Sequence, residues 1–172
     1  MRLIIRAVCF AVLVACIFTA FATRSARARE YVPFGEGYAP GSIVVHTNER
    51  RLYLVTGRGQ ALRYTVGVGR AGMTWQGATY VATKMVEPSW GPPADILRAN
   101  PRLPYNIPGG DPRNPMGVAV LGLAHGNYAI HGTNDPSSIG KFVSHGCIRM
   151  HNHDIKDLFS RVHLNTPVYV RP

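Results

Sequence analysis

The residues best suited to chemistry lie in one short segment near the end of the chain. Cys147 is the one cysteine outside the apolar N-terminal stretch, and it directly follows His145 and Gly146. A thiol becomes a good nucleophile when a base, a cation or backbone dipoles favour its thiolate form. His131 lies sixteen residues upstream and Arg149 two residues downstream, so both a base and a cation are available. This combination predicts nucleophilic catalysis by Cys147.

His131 is the candidate base. If residues 127–131 form a strand, His131 lies at its end, and the following loop returns Cys147 to it. His131 would accept the thiol proton and later exchange a proton with the leaving or incoming amine. A further group must orient the imidazole. Asp135 is close in sequence, and the backbone carbonyl of Gly132 would serve equally well.

The residues just before the cysteine are expected to form a nucleophile loop, Ser144 to Cys147. Gly146 permits a backbone conformation that a side chain would hinder, and nearby N–H groups could form an oxyanion hole. Ser144 and His145 are expected to shape this loop rather than act as the base. The reason is that adjacent residues on an extended chain point in different directions.

A metal site is the alternative use of these side chains. One residue separates His145 from Cys147, and one separates His151 from His153, so the two pairs could bind zinc. Structural zinc sites usually space paired ligands by two to four residues, and this spacing is less typical. The sequence therefore favours catalysis, with no metal and no cofactor expected.

Residues 1–28 are typical of an export signal. Arg2 and Arg6 give a positive start, an apolar run follows, and Ala26 to Ala28 offers a small-x-small cleavage site. Two alternatives remain, because Leu13 to Cys16 resembles a lipoprotein signal and the apolar run could be kept as an anchor. Export predicts a periplasmic protein that faces the cell wall.

Cleavage after Ala28 would also remove Cys9 and Cys16. Cys147 would then be a single thiol in an oxidising compartment, where disulfides within the chain are impossible. A lone thiol in such a compartment favours a reactive role over simple packing. Its polar, glycine-bearing neighbours also argue against a buried, inert cysteine.

The charge of the chain constrains its partners. The formal net charge is +10, and loss of the four arginines in residues 1–28 leaves +6. Such a domain is attracted to an anionic polymer or a membrane surface, and export makes the cell wall a better candidate than nucleic acid. Membrane contact is expected only if the N-terminus is retained or lipidated. Alternatively, the positive charge serves only to keep the protein soluble and indicates no particular partner.

The 172 residues leave room for the signal and one domain. Residues 29–41, rich in glycine and proline, are predicted to be a linker, and residues 42–172 the catalytic domain. Short runs of β-branched and aromatic residues predict a mainly β fold. The predicted strands are Ile43 to Thr47, Arg51 to Val55, Leu62 to Val68, Thr79 to Val86, Val118 to Leu123, Asn127 to His131 and Pro167 to Val170.

One helix is predicted, from Asn152 to Val162. Its apolar residues recur at helical spacing, Asn152 is the candidate cap, and Asp154 falls in the first turn. Two long irregular segments separate the strands, Gly69 to Trp75 and Pro88 to Asn114. Loops of this length in a compact domain are usually functional covers or walls, although a poorly ordered insertion is the alternative.

At the cysteine and histidine segments, the chain resembles the L,D-transpeptidase catalytic family. The signature of that family is a histidine, some fourteen to seventeen residues, and then Ser/Thr-His-Gly-Cys. Here fifteen residues separate His131 from Cys147. The resemblance extends, in order, over the rest of the domain. The other matching segments are Ile43 to Val45, Leu52 to Val55, Tyr64 to Gly69, Trp90 to Pro93, Pro108 to Gly110 and Asn114 to Gly117.

The resemblance implies a β-sandwich-like core with one short helix after the cysteine loop, and an enzyme that acts on peptidoglycan stem peptides. By that analogy Cys147 attacks the diamino acid of a tetrapeptide stem and releases D-alanine, and an amine of a second stem resolves the thioester. His131 carries over as the base and Gly132 as its orienter. The candidate substrate-binding residues are Arg149, Asn152 and Trp90. Arg149 could hold a substrate carboxylate or form a structural salt bridge.

Other functions remain open at this point. Water could resolve the same acyl-enzyme, which would give a carboxypeptidase or hydrolase, and outer-membrane proteins are alternative acceptors. A non-catalytic wall-binding module or a zinc-stabilised domain would belong to a different class. The presence of both His131 and Cys147 argues against the wall-binding module.

Overall fold

The structure, a computed structural model, describes residues 29–172. The predictions for residues 1–28 lie outside the described residues. No helix within residues 29–172 has the length and apolar character that a membrane span requires.

The described chain forms eleven strands, two α-helices and one short 3-10 helix, which confirms the mainly β class. The helices are α1 Ala94–Ala99 and α2 Asn152–Arg161, and the 3-10 helix is Pro136–Ser138. The strands are β1 Arg29–Pro33, β2 Ile43–His46, β3 Arg51–Gly57, β4 Gln60–Thr65, β5 Val68–Gly69, β6 Gly77–Val86, β7 Ala119–Leu123, β8 Ala129–His131, β9 Phe142–Ser144, β10 Ile148–Arg149 and β11 Pro167–Arg171.

Nine strands form one sheet in the order β1-β4-β3-β2-β11-β6-β7-β8-β10, and β5 and β9 form a separate parallel pair. Strand β6 belongs to both halves of the sheet. Its first residues pair with β11, and its later residues pair with β7 after a register shift between Val81 and Thr83. The sheet therefore has two halves that can face each other across a core, as expected for a sandwich-like fold.

The main core joins both halves of the sheet to helix α2. Strands β2 to β4 contribute Ile43, Leu52 and Leu62, and β7 and β8 contribute Leu121 and Ile130 from the other half. Helix α2 adds Ile155 and Leu158, which are fully buried. The predicted helix is thus confirmed, and its apolar stripe holds it against the sheet immediately after the nucleophile loop.

Four expectations differ from the structure. The segment Pro88 to Asn114, predicted to be irregular, contains the short helix α1. Residues 29–33, predicted as part of a linker, form β1 and pair antiparallel with β4, since an edge strand needs few buried side chains. The predicted strand Leu62 to Val68 divides into β4 and β5. The N-cap of α2 is His151 and not Asn152, and the side chain of Asn152 bonds to other backbone segments.

Candidate active site

The site begins with the parallel pairing of β8 and β10. Ile148 lies opposite Ile130, and Arg149 lies opposite His131. Both isoleucines point into the core, with at most 2% exposure. Side chains alternate along a strand, so Cys147, Arg149 and His131 lie on the other face. Cys147 is therefore one strand across and two residues along from His131.

His131 is buried, with 4% exposure, and is held in one orientation. Its Nδ1 donates to the Gly132 carbonyl oxygen at 2.6 Å. With the proton on Nδ1, Nε2 holds the lone pair that a base needs. Burial is the main cause that lowers the pKa of His131 to about 4. The positive charge of Arg149 also lowers this pKa, while hydrogen bonds to the Gly132 and Pro115 carbonyls raise it. The imidazole is therefore neutral at physiological pH.

This geometry resolves which group orients the histidine. Asp135 is exposed, and its carboxylate accepts from Ser137 N at 3.1 Å and from Ser137 Oγ at 2.6 Å. That carboxylate caps the 3-10 helix. Of the two candidates, the Gly132 carbonyl is the group that bonds to the ring.

The cysteine is half-buried and its thiol is protonated at neutral pH. Burial raises the pKa of Cys147, while the Ala129 N–H and the charge of Arg149 lower it. The thiol donates to the Asn127 carbonyl oxygen at 3.9 Å. Within residues 29–172 no direct hydrogen bond joins Sγ to the His131 ring. Hydrogen bonds between a nucleophile and its base are commonly long or absent before substrate binds.

The nucleophile loop is braced from within by Ser144. Its hydroxyl donates to the Cys147 carbonyl oxygen at 2.6 Å and accepts from Gly146 N at 3.1 Å. Gly146 has φ +123°, a conformation that favours glycine, and a Cβ there would overlap the ring of Tyr128. Ser144 and Gly146 thus shape the turn, as predicted.

A second segment holds the same turn from outside. We call residues Gly69 to Trp75 the clamp loop. Arg70 N donates to the Ser144 carbonyl oxygen at 3.0 Å, and the Arg70 guanidinium lies 2.9 Å from Nε2 of His145. Trp75 Nε1 donates to the Gly146 carbonyl oxygen at 3.0 Å. Three consecutive residues of the nucleophile loop are therefore each bonded to the clamp loop.

Arg149 presents an unused donor beside the histidine. Its Nε is buried and makes no hydrogen bond with the described residues. None of the ion pairs formed within residues 29–172 includes Arg149. These observations do not support the structural salt bridge that the sequence left open. A guanidinium with a free donor fork suits a carboxylate ligand.

The other two candidate substrate-binding residues lie away from the sulfur. Asn152 Oδ1 accepts from Thr133 N at 3.0 Å and from Val118 N at 3.4 Å, and so supports the segment behind His131. Trp90 pairs through its backbone with Ile107, with both hydrogen bonds at 2.8 Å. Neither residue is joined to the nucleophile loop by a hydrogen bond within the described residues.

The zinc alternative finds no ligand set in the part of the chain that the structure describes. The rings of His151 and His153 stack with centroids 5.3 Å apart, but no group of three or more potential ligands comes together within residues 29–172. His145 is bonded to Arg70.

Sequence reasoning did not select Arg70, Trp75 or Tyr128 as site residues. The clamp loop was predicted to have a functional role, but no motif marks which of its side chains reach the cysteine. The only available signal was the isolated Trp75 at the end of a glycine-bearing segment.

Comparison with known proteins extends the resemblance seen in the sequence. The family model for the YkuD-type L,D-transpeptidase catalytic domain matches residues 40–170. The chain belongs to the L,D-transpeptidase family. "Probable L,D-transpeptidase YbiS" of Escherichia coli strain K12 is 39% identical to it over 135 residues. That match covers 73% of this chain and 43% of YbiS, so the chain spans less than half the length of that relative.

Solved structures agree on the fold. A variant of Enterococcus faecium L,D-transpeptidase has a TM-score of 0.58 and 22% identity, over 76% of this chain and 49% of that one. At this identity the likeness concerns the fold alone. A Brucella melitensis protein described as a "Probable carnitine operon oxidoreductase" is 36% identical, with a TM-score of 0.56 over 84% and 94% of the two chains. That description is said of the Brucella protein only and is not carried over to this transpeptidase.

Proposed function

We propose that this family member cross-links peptidoglycan through an acyl-enzyme on Cys147. The observation that carries the proposal is the β8–β10 pairing, which puts Cys147 on one face with a neutral histidine whose Nδ1 is bound to Gly132. A protonated thiol next to a neutral imidazole is the starting state that general-base catalysis requires.

In the first half-reaction, Nε2 of His131 accepts the thiol proton while Sγ attacks the carbonyl carbon of the diamino acid in a tetrapeptide stem. The tetrahedral intermediate collapses by breaking the bond to D-alanine. His131 returns the proton to the leaving amine, and a thioester on Cys147 remains. The Cys147 N–H, which has no acceptor within residues 29–172, is available to stabilise the oxyanion.

In the second half-reaction, an amine of another stem attacks the thioester. His131 takes the proton from this amine and delivers it to the departing sulfur, so that the thiol is restored and a new amide is formed. The chain needs no cofactor for either step. The acceptor distinguishes the related alternatives, because water would give a carboxypeptidase or hydrolase and a protein amine would give attachment of outer-membrane proteins.

Arg149 is proposed to hold a carboxylate of the donor stem. Its buried Nε lacks a partner among the described residues, and it lies opposite His131 on the neighbouring strand. The basic surface would draw the enzyme to acidic stems in the periplasm, which is our proposed location. Subcellular fractionation would test that location, and recovery of the protein in the cytoplasm would contradict it.

The test is mass spectrometry of the products that the purified protein forms from disaccharide-tetrapeptide, with Cys147→Ala as the control. Dimers that have lost D-alanine are the expected result. Tripeptide alone would favour the hydrolase, and the lack of a Cys147-dependent product would favour protein attachment or a binding role. Circular dichroism should show that the variant remains folded, since Cys147 is only half-buried.

A further inference from the structure

The indole of Trp75 is fixed against the nucleophile loop from two directions. Its Nε1 donates to the Gly146 carbonyl oxygen at 3.0 Å. Its ring lies nearly parallel to that of Tyr128, at 6° with centroids 5.1 Å apart, and stacks on His125 at 4.8 Å. Tyr128 in turn covers Gly146 so closely that the glycine has no room for a side chain.

The clamp loop that carries Trp75 is itself well anchored. It begins at β5, which pairs in parallel with β9, and Gly69 lies opposite Ser144. Inside the loop, Met73 N donates to the Arg70 carbonyl oxygen at 2.8 Å. A Cβ at Gly69 would overlap the Met73 backbone, so the turn is tight. The position of the indole is therefore set by the backbone.

The bond from Trp75 fixes the direction of one peptide group. In a trans peptide the carbonyl and the following N–H lie in one plane and point in opposite directions, and no described residue has a cis bond. Because the Gly146 carbonyl points toward Trp75, the Cys147 N–H points away from it. That N–H has no acceptor within residues 29–172.

We propose that Trp75 is a positioning residue for acyl transfer. Its indole N–H holds the Gly146–Cys147 peptide in the orientation at which the Cys147 N–H can donate to the oxyanion of the tetrahedral intermediate. This inference rests on the proposed function. Loss of the indole N–H lets the peptide rotate, so the donor is no longer preorganised when charge develops on the substrate oxygen.

Two reactions of Cys147 separate this role from simple structural support. Acylation by disaccharide-tetrapeptide passes through an oxyanion, whereas alkylation by iodoacetamide does not. Trp75→Phe removes the donor and keeps an aromatic ring, although a smaller one, beside Tyr128. We expect the kcat for D-alanine release to fall roughly 10- to 100-fold, with KM within about twofold of the original value. The rate of iodoacetamide alkylation should change by less than about twofold, because the thiol keeps its surroundings.

A matched control removes a donor elsewhere. Tyr53 lies in a separate apolar cluster with Phe34, Val44, Val55 and Ala61, away from the nucleophile loop. Its hydroxyl donates to Glu49 at 2.7 Å. Tyr53→Phe should leave both Cys147 reactions unchanged. If Trp75→Phe does not fold, benzothienylalanine placed at position 75 alone gives a ring of the same shape without the N–H.

The outcomes are distinct. If Trp75→Phe slows acylation and leaves the alkylation rate unchanged, the proposal is supported. If Trp75→Phe is acylated as fast as the unaltered protein, the proposal is overturned and the proposed function stays intact. A parallel fall in both reactions would also overturn the proposal, because it would mean that Trp75 only supports the structure of the site. If the unaltered protein itself releases no D-alanine, the proposed function fails, and the inference fails with it.

Discussion

Two long loops look alike in the sequence and differ in the structure. The clamp loop, residues 69–75, bonds to Ser144, His145 and Gly146 in turn. The segment from Pro88 to Asn114, which we call the proline loop, is mostly bonded to itself. Near the site it is bonded to the segment that follows His131, where the Asn134 side chain donates to the Arg113 carbonyl oxygen at 3.0 Å.

The proline loop is organised around one buried side chain. Asn114 is 2% exposed, and its amide donates to the carbonyl oxygens of Pro88 at 2.8 Å and Pro108 at 3.0 Å. Its Oδ1 accepts from Met116 N at 2.9 Å. The two loops thus support different partners in the reaction. The clamp loop bonds to the nucleophile loop, and the proline loop bonds to the segment that follows the base.

The largest effect is expected on the cysteine side, from Gly146→Ala. The added methyl group would overlap Tyr128 and force a side chain to φ +123°, so the turn must move. Displacement of an oxyanion donor costs about 100- to 1,000-fold in kcat, and we expect a loss of that order in D-alanine release.

Gly126→Ala is the matched control for that change. Gly126 also has positive φ, +56°, but a Cβ there would lie 3.7 Å from the same Tyr128 ring, which is ordinary contact. Its activity should stay within about threefold, as expected for a tolerated left-handed position. Equal losses in the two variants would mean that backbone strain near Tyr128, and not the shape of the nucleophile loop, limits the rate.

On the histidine side, Asn114→Ala should mainly lower stability. It leaves two partly buried carbonyl groups and one partly buried N–H without their partner, which we expect to cost roughly 2 to 4 kcal/mol of unfolding free energy. Urea denaturation measures this loss. The iodoacetamide rate at Cys147 should be unchanged, because Asn114 makes no bond to the nucleophile loop.

Asn134→Ala provides the comparison for Asn114. Asn134 is exposed and makes one hydrogen bond from its side chain, so its loss should cost less than about 1 kcal/mol. A similar stability for the two variants would contradict the view that buried Asn114 organises the proline loop.

The smallest expected effect is on the pH dependence of kcat/KM, which should differ between variants of the two loops. His131 must be neutral to accept a proton, and its pKa is about 4, so kcat/KM should hold above that pH and fall as pH drops through it. Asn114→Ala would admit water toward the buried ring and shift this acid limb upward, toward the usual histidine pKa of about 6.5. Trp75→Phe should leave the limb in place. A shifted limb in Trp75→Phe would show that the two loops are not independent.

The chemistry was more predictable than the scaffold that holds it. Cys147 and His131 are marked by residue type and spacing, and α2 by its apolar period. The strands that join the two site residues have only two and three residues, too short to show an alternating pattern. The Gly132 carbonyl and Asp135 were equivalent candidates in the sequence, because only the fold decides which one the ring faces.

Other elements left no trace in the side-chain pattern. Strand β1 is largely exposed, and its pairing with β4 is made by the backbone. Trp75 lies 71 residues from Gly146 in the chain, so their bond follows from the return of β9 to β5 and from no local motif. Long-range backbone contacts of this kind are what single-sequence reasoning misses most readily.

The place of β11 in the sheet also bears on the order of folding. It pairs with β2 on one side and β6 on the other. Val168 pairs with Ile43, so the two partners lie near opposite ends of the described sequence. Without β11, the nine-stranded sheet would divide into β1 to β4 on one side and β6, β7, β8 and β10 on the other. Closing so long a loop is slow. The sheet half that carries the histidine and cysteine strands is therefore joined to β1 to β4 within the nine-stranded sheet only when this contact of long sequence separation forms.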